Sequence, residues 1–283
     1  MNEEASKEIT TQPQTKSEGE QSVIKEFFLS GGSERELGAL FGQSETELKK
    51  EFGSYKAQKI YRKLNYFIDS RSKLLGEVKS ALKEALKYGY RSVTVFPSVI
   101  ALSKSVLNGA IKVRALINYP YGEDLEKSIN YQVKQAIKSG ADEVLVPFSA
   151  FLFRCGDSTE VISYYKKLIK SARVRRVSIL LDLAVLTLPE VESAISLVIS
   201  SGISSVVLAF EGGVGPVSKA VIEDALSISM GLVKVECIAP ISKAEDAIST
   251  LINGVDLITS KSAQEISRDL SMKIEVMGAN ENA

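Results

Sequence analysis

The sequence predicts an α/β chain folded as a (β/α)8 barrel, a TIM barrel, preceded by short N-terminal helices and a disordered N-terminal tail. Three observations carry that prediction. Apolar runs of strand length alternate with amphipathic stretches of helical period across residues 61–275. The boundary between a helix and the next strand repeats a glycine-led pattern: Gly89-Tyr-Arg, Gly140-Ala-Asp, Gly202-Ile-Ser and Gly254-Val-Asp. There are eight such strand–helix units, each about 26 residues long, which suits closure into a barrel. A doubly wound open sheet is the alternative arrangement of the same units.

Taken in order, residues 1–21 are dominated by Glu, Ser, Gln, Thr and Lys. Such a stretch buries too little apolar area to offset its ordering entropy and is expected to be a disordered polar tail. Residues 22–60 turn helical in pattern: Ser33-x-x-Glu36 and Ser44-x-x-Glu47 have the form of capping boxes, and Gly31-Gly32 and Gly42 separate short apolar stripes. This reads as a helical extension. The barrel follows over 61–275. Its strands are placed near 62–68 (RKLNYFI), then at RSVTVFPS (91–98), IKVRALINYP (111–120), DEVLVPFS (142–149), RVSILLD (176–182), SSVVLAF (204–210), LVKVECIAP (232–240) and VDLITS (255–260). Helical periodicity runs over 73–88, 98–107, 124–138, 158–172, 189–201, 216–230, 243–252 and 262–270. A glycine just past a helix closes it in the left-handed conformation, and the strand that follows reads as continuously apolar because both faces are covered. Residues 276–283 are left as a C-terminal tail.

Composition narrows the function. Thirty-five basic side chains balance 35 acidic ones, so binding of nucleic acid through bulk charge is not expected. The chain has no histidine, which removes the usual general base, the usual zinc ligand and every Ser-His or Cys-His couple. No apolar run approaches the roughly 18 residues that span a bilayer, so no membrane association is expected. Cys155 and Cys237 are too few for a disulfide framework and lack a base. The polar N-terminus shows no secretory signal, and the expected setting is cytoplasmic. The basic cluster Lys166, Lys167, Lys170, Arg173, Arg175 and Arg176 reads as a solvated face, with an anionic partner surface as its alternative. No cofactor is called for.

The segments VTVFPSVIALSKSVL (93–107), INYPYG (117–122), GADEVLVPFSAFLFRCGD (140–157) and KAEDA (243–247) together resemble the deoxyribose-phosphate aldolase family. The likeness runs from about residue 60 to 270, in family order and spacing. INYPYG is similar to the family's N-F-P-H-G turn after strand three, with Tyr121 where the family has histidine. The resemblance implies a (β/α)8 enzyme, a homodimer, and a lysine that forms a Schiff base with the aldehyde of 2-deoxyribose 5-phosphate. A second lysine lowers the pKa of the first and an aspartate relays protons, since only a neutral amine attacks a carbonyl.

Carried over position by position, those groups fall on other residues. The relay aspartate falls on Leu145, the strand-five lysine on Ser178, the Schiff-base lysine on Val207 and the strand-seven lysine on Glu236. Val207 cannot form an imine, and an acidic Glu236 would raise a neighbouring amine's pKa. The phosphate cradle that the resemblance implies is partly kept. Gly212 and Gly213 follow strand six, and Ser260 and Lys261 follow strand eight, whereas the turn after strand seven reads Ala239-Pro240. Tight turns and a helix cap are the plainer reading of these residues. Asp182, Glu211 and Glu236 at adjacent strand ends are candidates for a carboxylate centre holding Mg²⁺ or Mn²⁺, set against pairing of Glu236 with Arg114 or Lys261. The function expected is a catalytically degenerate family member, a pseudoenzyme, that binds a phosphorylated small molecule or a protein partner. The alternatives are an enzyme with carboxylate- or metal-based chemistry on the same barrel, and an active aldolase.

Overall fold

A computed structural model describes residues 57–173, 176–210 and 217–280, the last six of these by their backbone alone. Eight parallel strands close in sequence order, each hydrogen-bonded to the next and β8 back to β1. The strands are β1 (Leu64–Phe67), β2 (Ser92–Val95), β3 (Lys112–Leu116), β4 (Glu143–Pro147), β5 (Arg176–Asp182), β6 (Ser205–Ala209), β7 (Lys234–Ile238) and β8 (Leu257–Ser260). The helices between and after them are α1 (Leu75–Tyr88), α2 (Ile100–Leu107), α3 (Glu126–Lys138), α4 (Ala150–Cys155), α5 (Ser158–Ala172), α6 (Leu188–Ser200), α7 (Lys219–Ser229), α8 (Ala244–Ile252) and α9 (Ala263–Asn280). This is the (β/α)8 barrel that the periodicity predicts. Helix α9 runs to Asn280, past the expected boundary at 275, and the capping boxes at Ser33 and Ser44 lie outside the described residues.

Two features of the fold have no counterpart in the sequence pattern. Short 3-10 turns follow β1 (Ser70–Ser72) and β2 (Pro97–Val99), and the six-residue helix α4 follows β4. Six residues are too short to announce themselves by hydrophobic period. Helix α4 is fixed instead by groups distant in sequence. Glu123 accepts from the Ser149 hydroxyl at 2.9 Å and from the Phe151 amide at 3.2 Å, and Arg154 forks onto Glu190 of α6.

The strand pattern divides the interior in two. Side chains pointing outward, such as Val93, Val95, Val113, Val144, Val206 and Val235, pack with the helices into one large shell. Those pointing inward fill the barrel itself. The four boundary glycines take positive φ, from 68° at Gly89 to 105° at Gly140. The aspartates that follow two of them hold the barrel closed: Asp142 accepts from the Val113 amide at 2.9 Å and Asp256 from the Val235 amide at 3.0 Å, each on the preceding strand.

Gly122, which ends the INYPYG turn, has φ of +74°, and a Cβ there would lie 2.8 Å from the Pro147 carbonyl oxygen. Both the backbone conformation and the space exclude a side chain. The substitution Gly122→Ala is expected to cost about 1–3 kcal/mol, read as a lower urea midpoint at unchanged slope.

Candidate ligand-binding mouth of the barrel

The inward-facing side chains lie in tiers that differ sharply in chemistry. The middle tier is polar and centres on an ion pair across the barrel. Arg114 on β3 forks onto Glu236 on β7, with Nη1–Oε2 and Nη2–Oε1 both 2.7 Å, and the two side chains are 1% and 0% exposed. Arg114 also donates to the hydroxyls of Thr94 (2.9 Å) and Thr259 (2.7 Å). Glu236 accepts in addition from Asn65 Nδ2 at 2.9 Å and from the Thr259 hydroxyl, and Ser92 donates to Asn65 Oδ1. Burial alone would raise the Glu236 pKa, but the Arg114 guanidinium outweighs it and holds the carboxyl well below the usual glutamate range. Arg114 is correspondingly pushed up by Glu236 against the opposing effect of burial.

Above this tier, toward the C-terminal ends of the strands, the interior is apolar. Phe67, Leu116, Leu145, Leu180, Val207, Ala209 and Ile238 form a second core, separate from the outer shell, with Phe96 and Tyr119 packed on it. Three of the four positions where the resemblance places catalytic groups fall on these inner walls with definite partners. Leu145 and Val207 are both fully buried in the apolar cluster. Glu236 belongs to the ion pair with Arg114 and is the register partner of Val207 on the adjacent strand. The fourth, Ser178, is 1% exposed, level with Leu145, and its hydroxyl has no hydrogen-bond partner. Among the described residues no lysine is buried.

The structure does not bring Asp182 and Glu236 together. Asp182 is level with Ala209, two residues above the level of Val207 and Glu236, a rise of about 6–7 Å along the strand. Its Oδ1 accepts from the Ala184 amide at 2.9 Å, and both Glu236 oxygens are already engaged. Among the described residues no cluster of three His, Cys, Asp or Glu side chains is placed to hold a metal ion. Glu211, Gly212 and Gly213 lie outside the described residues. Of the two choices for Glu236, the structure takes Arg114. Lys261 goes elsewhere.

At the rim, the loops after β1, β2, β3 and β8 converge on a charged rosette over aromatic rings. Asp69 accepts from Arg71 through Nε–Oδ1 (2.9 Å) and Nη2–Oδ2 (2.7 Å), and Lys261 Nζ lies 3.3 Å from Asp69 Oδ2. Lys261 also sits 5.3 Å from the centroid of the Phe67 ring, and Arg71 sits 5.4 Å from that of Phe96. Phe67, Phe96 and Tyr119 pack in a triangle with centroids 6.0–6.4 Å apart. The hydrogen bonds from Arg71 hold the Asp69 carboxyl far below its ordinary range, with Lys261 adding to the effect. Two cations against one fixed anion leave the rosette with an excess positive charge. Ser260 is committed to the scaffold: its hydroxyl donates to the Ile241 carbonyl at 2.7 Å and accepts from the Ser262 amide at 3.0 Å, just before α9. Lys261 remains 42% exposed.

The sequence pattern singled out Lys261 but passed over Asp69, Arg71, Asn65 and Thr94. The one usable signal was a pair of charges, Arg114 and Glu236, each inside an otherwise apolar strand. Nothing in the sequence marks Asp69 or Arg71, which a turn brings together. Two titratable side chains, Cys237 and Tyr66, are buried in the outer shell and stay protonated at neutral pH. Burial pushes the Cys237 thiol up to about 12, and Tyr66 is likewise pushed up to about 12 chiefly by burial.

The fold and its mouth define a (β/α)8 barrel that presents a cationic, aromatic-floored rim at the C-terminal ends of its strands, the end where barrels of this kind carry their ligand sites. No protein-family model matches the chain. It is 29% identical over 217 residues to the deoxyribose-phosphate aldolase of Acholeplasma laidlawii, a match covering 71% of this chain and 97% of that protein. The deoxyribose-phosphate aldolase of Mycoplasma pneumoniae is 25% identical over 197 residues, covering 69% and 87%. Among solved structures, the aldolase QR15 superposes with a TM-score of 0.69 at 19% identity, covering 77% of this chain and 97% of that one. The tetrameric deoxyribose-phosphate aldolase of Aeropyrum pernix gives 0.68 at 16% identity, covering 79% and 97%. These structural likenesses speak for the fold. The family that the chain resembles, in sequence over most of the barrel and in fold, is that of the deoxyribose-phosphate aldolases.

Proposed function

We propose that this chain works by binding, as a catalytically degenerate member of its family, and that it holds a phosphorylated small molecule at the rim of the barrel. The observation that carries this reading is the apolar inner cluster of Leu145, Val207, Leu180 and their neighbours. Imine chemistry needs an amine projecting into that space, a group to keep it neutral and another to move protons. The walls there offer methyl and aromatic carbons. Glu236, the register partner of Val207, is neutralised by the buried Arg114 guanidinium. The rim above it suits an anionic ligand: Arg71 and Lys261 supply charge, and the Phe67–Phe96–Tyr119 floor offers an apolar face to a sugar ring. Lys261 acts as a point charge there, in keeping with its exposure.

The test is borohydride trapping with 2-deoxyribose 5-phosphate, run beside calorimetric titration of the same compound. No reduced lysine adduct is expected by mass spectrometry, while titration gives saturable binding that Lys261→Ala weakens by about tenfold. A trapped lysine would overturn the degenerate reading. A flat titration across sugar phosphates would overturn the binding reading.

A further inference from the structure

The end of the barrel opposite the rim carries a second concentration of positive charge, and part of it is buried without a partner. Glu143, 2% exposed at the start of β4, is taken by Arg91, with Nη2–Oε1 at 2.7 Å and Nη1–Oε2 at 3.0 Å, and by Lys112 at 3.7 Å. Arg176 begins β5 directly beside Glu143 in the register, yet its Nε and Nη2 are buried and hydrogen-bonded to nothing. Two residues further along the same face of β5 stands Ser178, 1% exposed. The pairing of Ile179 with Val206 places Ser205 of β6, 0% exposed, next to it. Both hydroxyls also lack a hydrogen-bond partner. Lys234 is paired with Ser205 across β6 and β7 and is exposed at the same end. Four cations (Arg91, Lys112, Arg176 and Lys234) therefore lie at this end of the strands, where Glu143 is already shared by two of them and Asp142 and Asp256 stand just before β4 and β8.

We propose that this N-terminal end of the barrel, lined by Arg176, Ser178 and Ser205, is a binding site for a small tetrahedral oxyanion, free phosphate or sulfate. The Nε–Nη2 edge of a guanidinium is the edge that matches two oxygens of one oxyanion, and on Arg176 both of its donors are open. Two buried hydroxyls add donors on adjacent strands. Water satisfies hydroxyls but leaves the cation unmatched, whereas an oxyanion satisfies both. Burial pulls the Arg176 guanidinium below its ordinary pKa; the charges of Glu143 and Glu236 oppose this and those of Arg91 and Arg114 add to it. That is the reverse of what a guanidinium with its own carboxylate shows. Arg176 is partly exposed and its neighbours Lys112 and Lys234 are exposed, so the ion has a route in from solvent. This site is independent of the rim and stands whether or not the rim binds a sugar phosphate.

The experiment is a titration of the full chain with inorganic phosphate at constant ionic strength, followed by calorimetry and by the thermal midpoint, in the Lys261→Ala background so that the rim does not contribute. A saturable response is expected, shared by sulfate and absent with chloride. Adding Arg176→Gln should weaken the apparent phosphate affinity by about tenfold or more. In phosphate-free buffer Arg176→Gln should unfold at or above the midpoint of its parent, because it removes an unmatched buried charge; a purely structural arginine would lower it. Should Arg176→Gln not fold, the double variant Ser178→Ala/Ser205→Ala carries the test, with weaker phosphate binding expected. An absent response in Lys261→Ala, or an undiminished one in the Arg176 or serine variants, overturns the proposal.

Discussion

Glu236→Ala is expected to destabilise the barrel by about 3–5 kcal/mol, the range for removing one partner of a buried ion pair. Most of that loss would come from Arg114. Its guanidinium is 1% exposed and donates two of its bonds to Glu236, so the substitution strands a cation in a space that water does not reach. The threonine hydroxyls of Thr94 and Thr259 still accept from it but carry no charge. Replacing both partners with apolar side chains, as in Arg114→Met/Glu236→Leu, should recover most of the loss, because the desolvation of two ions is then no longer needed. Urea unfolding of the two single variants and the double variant closes the cycle, and a coupling near zero would contradict the arrangement described. The pH dependence has a definite sign. The folded pKa of Glu236 is depressed below its unfolded value, so its stabilisation is fully present above the ordinary glutamate pKa, about 4.3, and is lost as pH falls below that toward the folded value. In Glu236→Ala this acid-side loss should shrink.

Val207→Lys, which returns a lysine to the position where the family's Schiff-base group is expected, should be at least as damaging, about 3–5 kcal/mol at neutral pH. Val207 is fully buried, and its neighbours Phe67, Leu116, Leu145, Leu180 and Ile238 supply no acceptor for an ammonium. The introduced amine would have its pKa pulled down by several units. The linkage runs opposite to that of a paired lysine. The unfolded chain binds the proton more tightly, so the penalty is smallest above about pH 10.4 and grows as pH falls toward the depressed folded value. Unfolding measured between pH 6 and pH 10 checks this. A pH-independent penalty would mean the side chain escapes the cluster. The same variant bears on function: an amine in this cavity still meets Leu145, an alkyl side chain, where the resemblance places the relay aspartate, and still faces Glu236 taken up by Arg114. Borohydride trapping of the variant is therefore expected to remain weak.

These two predictions show how far the sequence reaches. The eight-unit periodicity and the glycine-led boundaries gave strands and helices within a few residues of their observed bounds, except the last helix, read as 262–270 and observed as Ala263–Asn280. The family likeness gave the register well enough to place Leu145, Val207 and Glu236 on the barrel's inner wall. Helix α4 escaped because one and a half turns leave no period to detect, and its fixing contacts to Glu123 and Glu190 come from other loops. Asp69 and Arg71 escaped for a related reason: a polar pair after a strand looks like any loop until Lys261, from the far end of the chain, closes on it.

What the sequence determined by itself is everything that repeats or alternates: the strand–helix units, the left-handed glycines that end helices, and the absence of histidine with the chemistry it would bring. Those properties are local, set by backbone sterics and by the spacing of apolar side chains along one segment. Tertiary structure alone decided which isolated charges meet. Arg114 and Glu236 are 122 residues apart in the chain, and each looks out of place in its own strand. Closure of the barrel points both inward, and in that water-poor space the carboxylate and the guanidinium each take the other as the hydrogen-bonded counter-charge that burial demands.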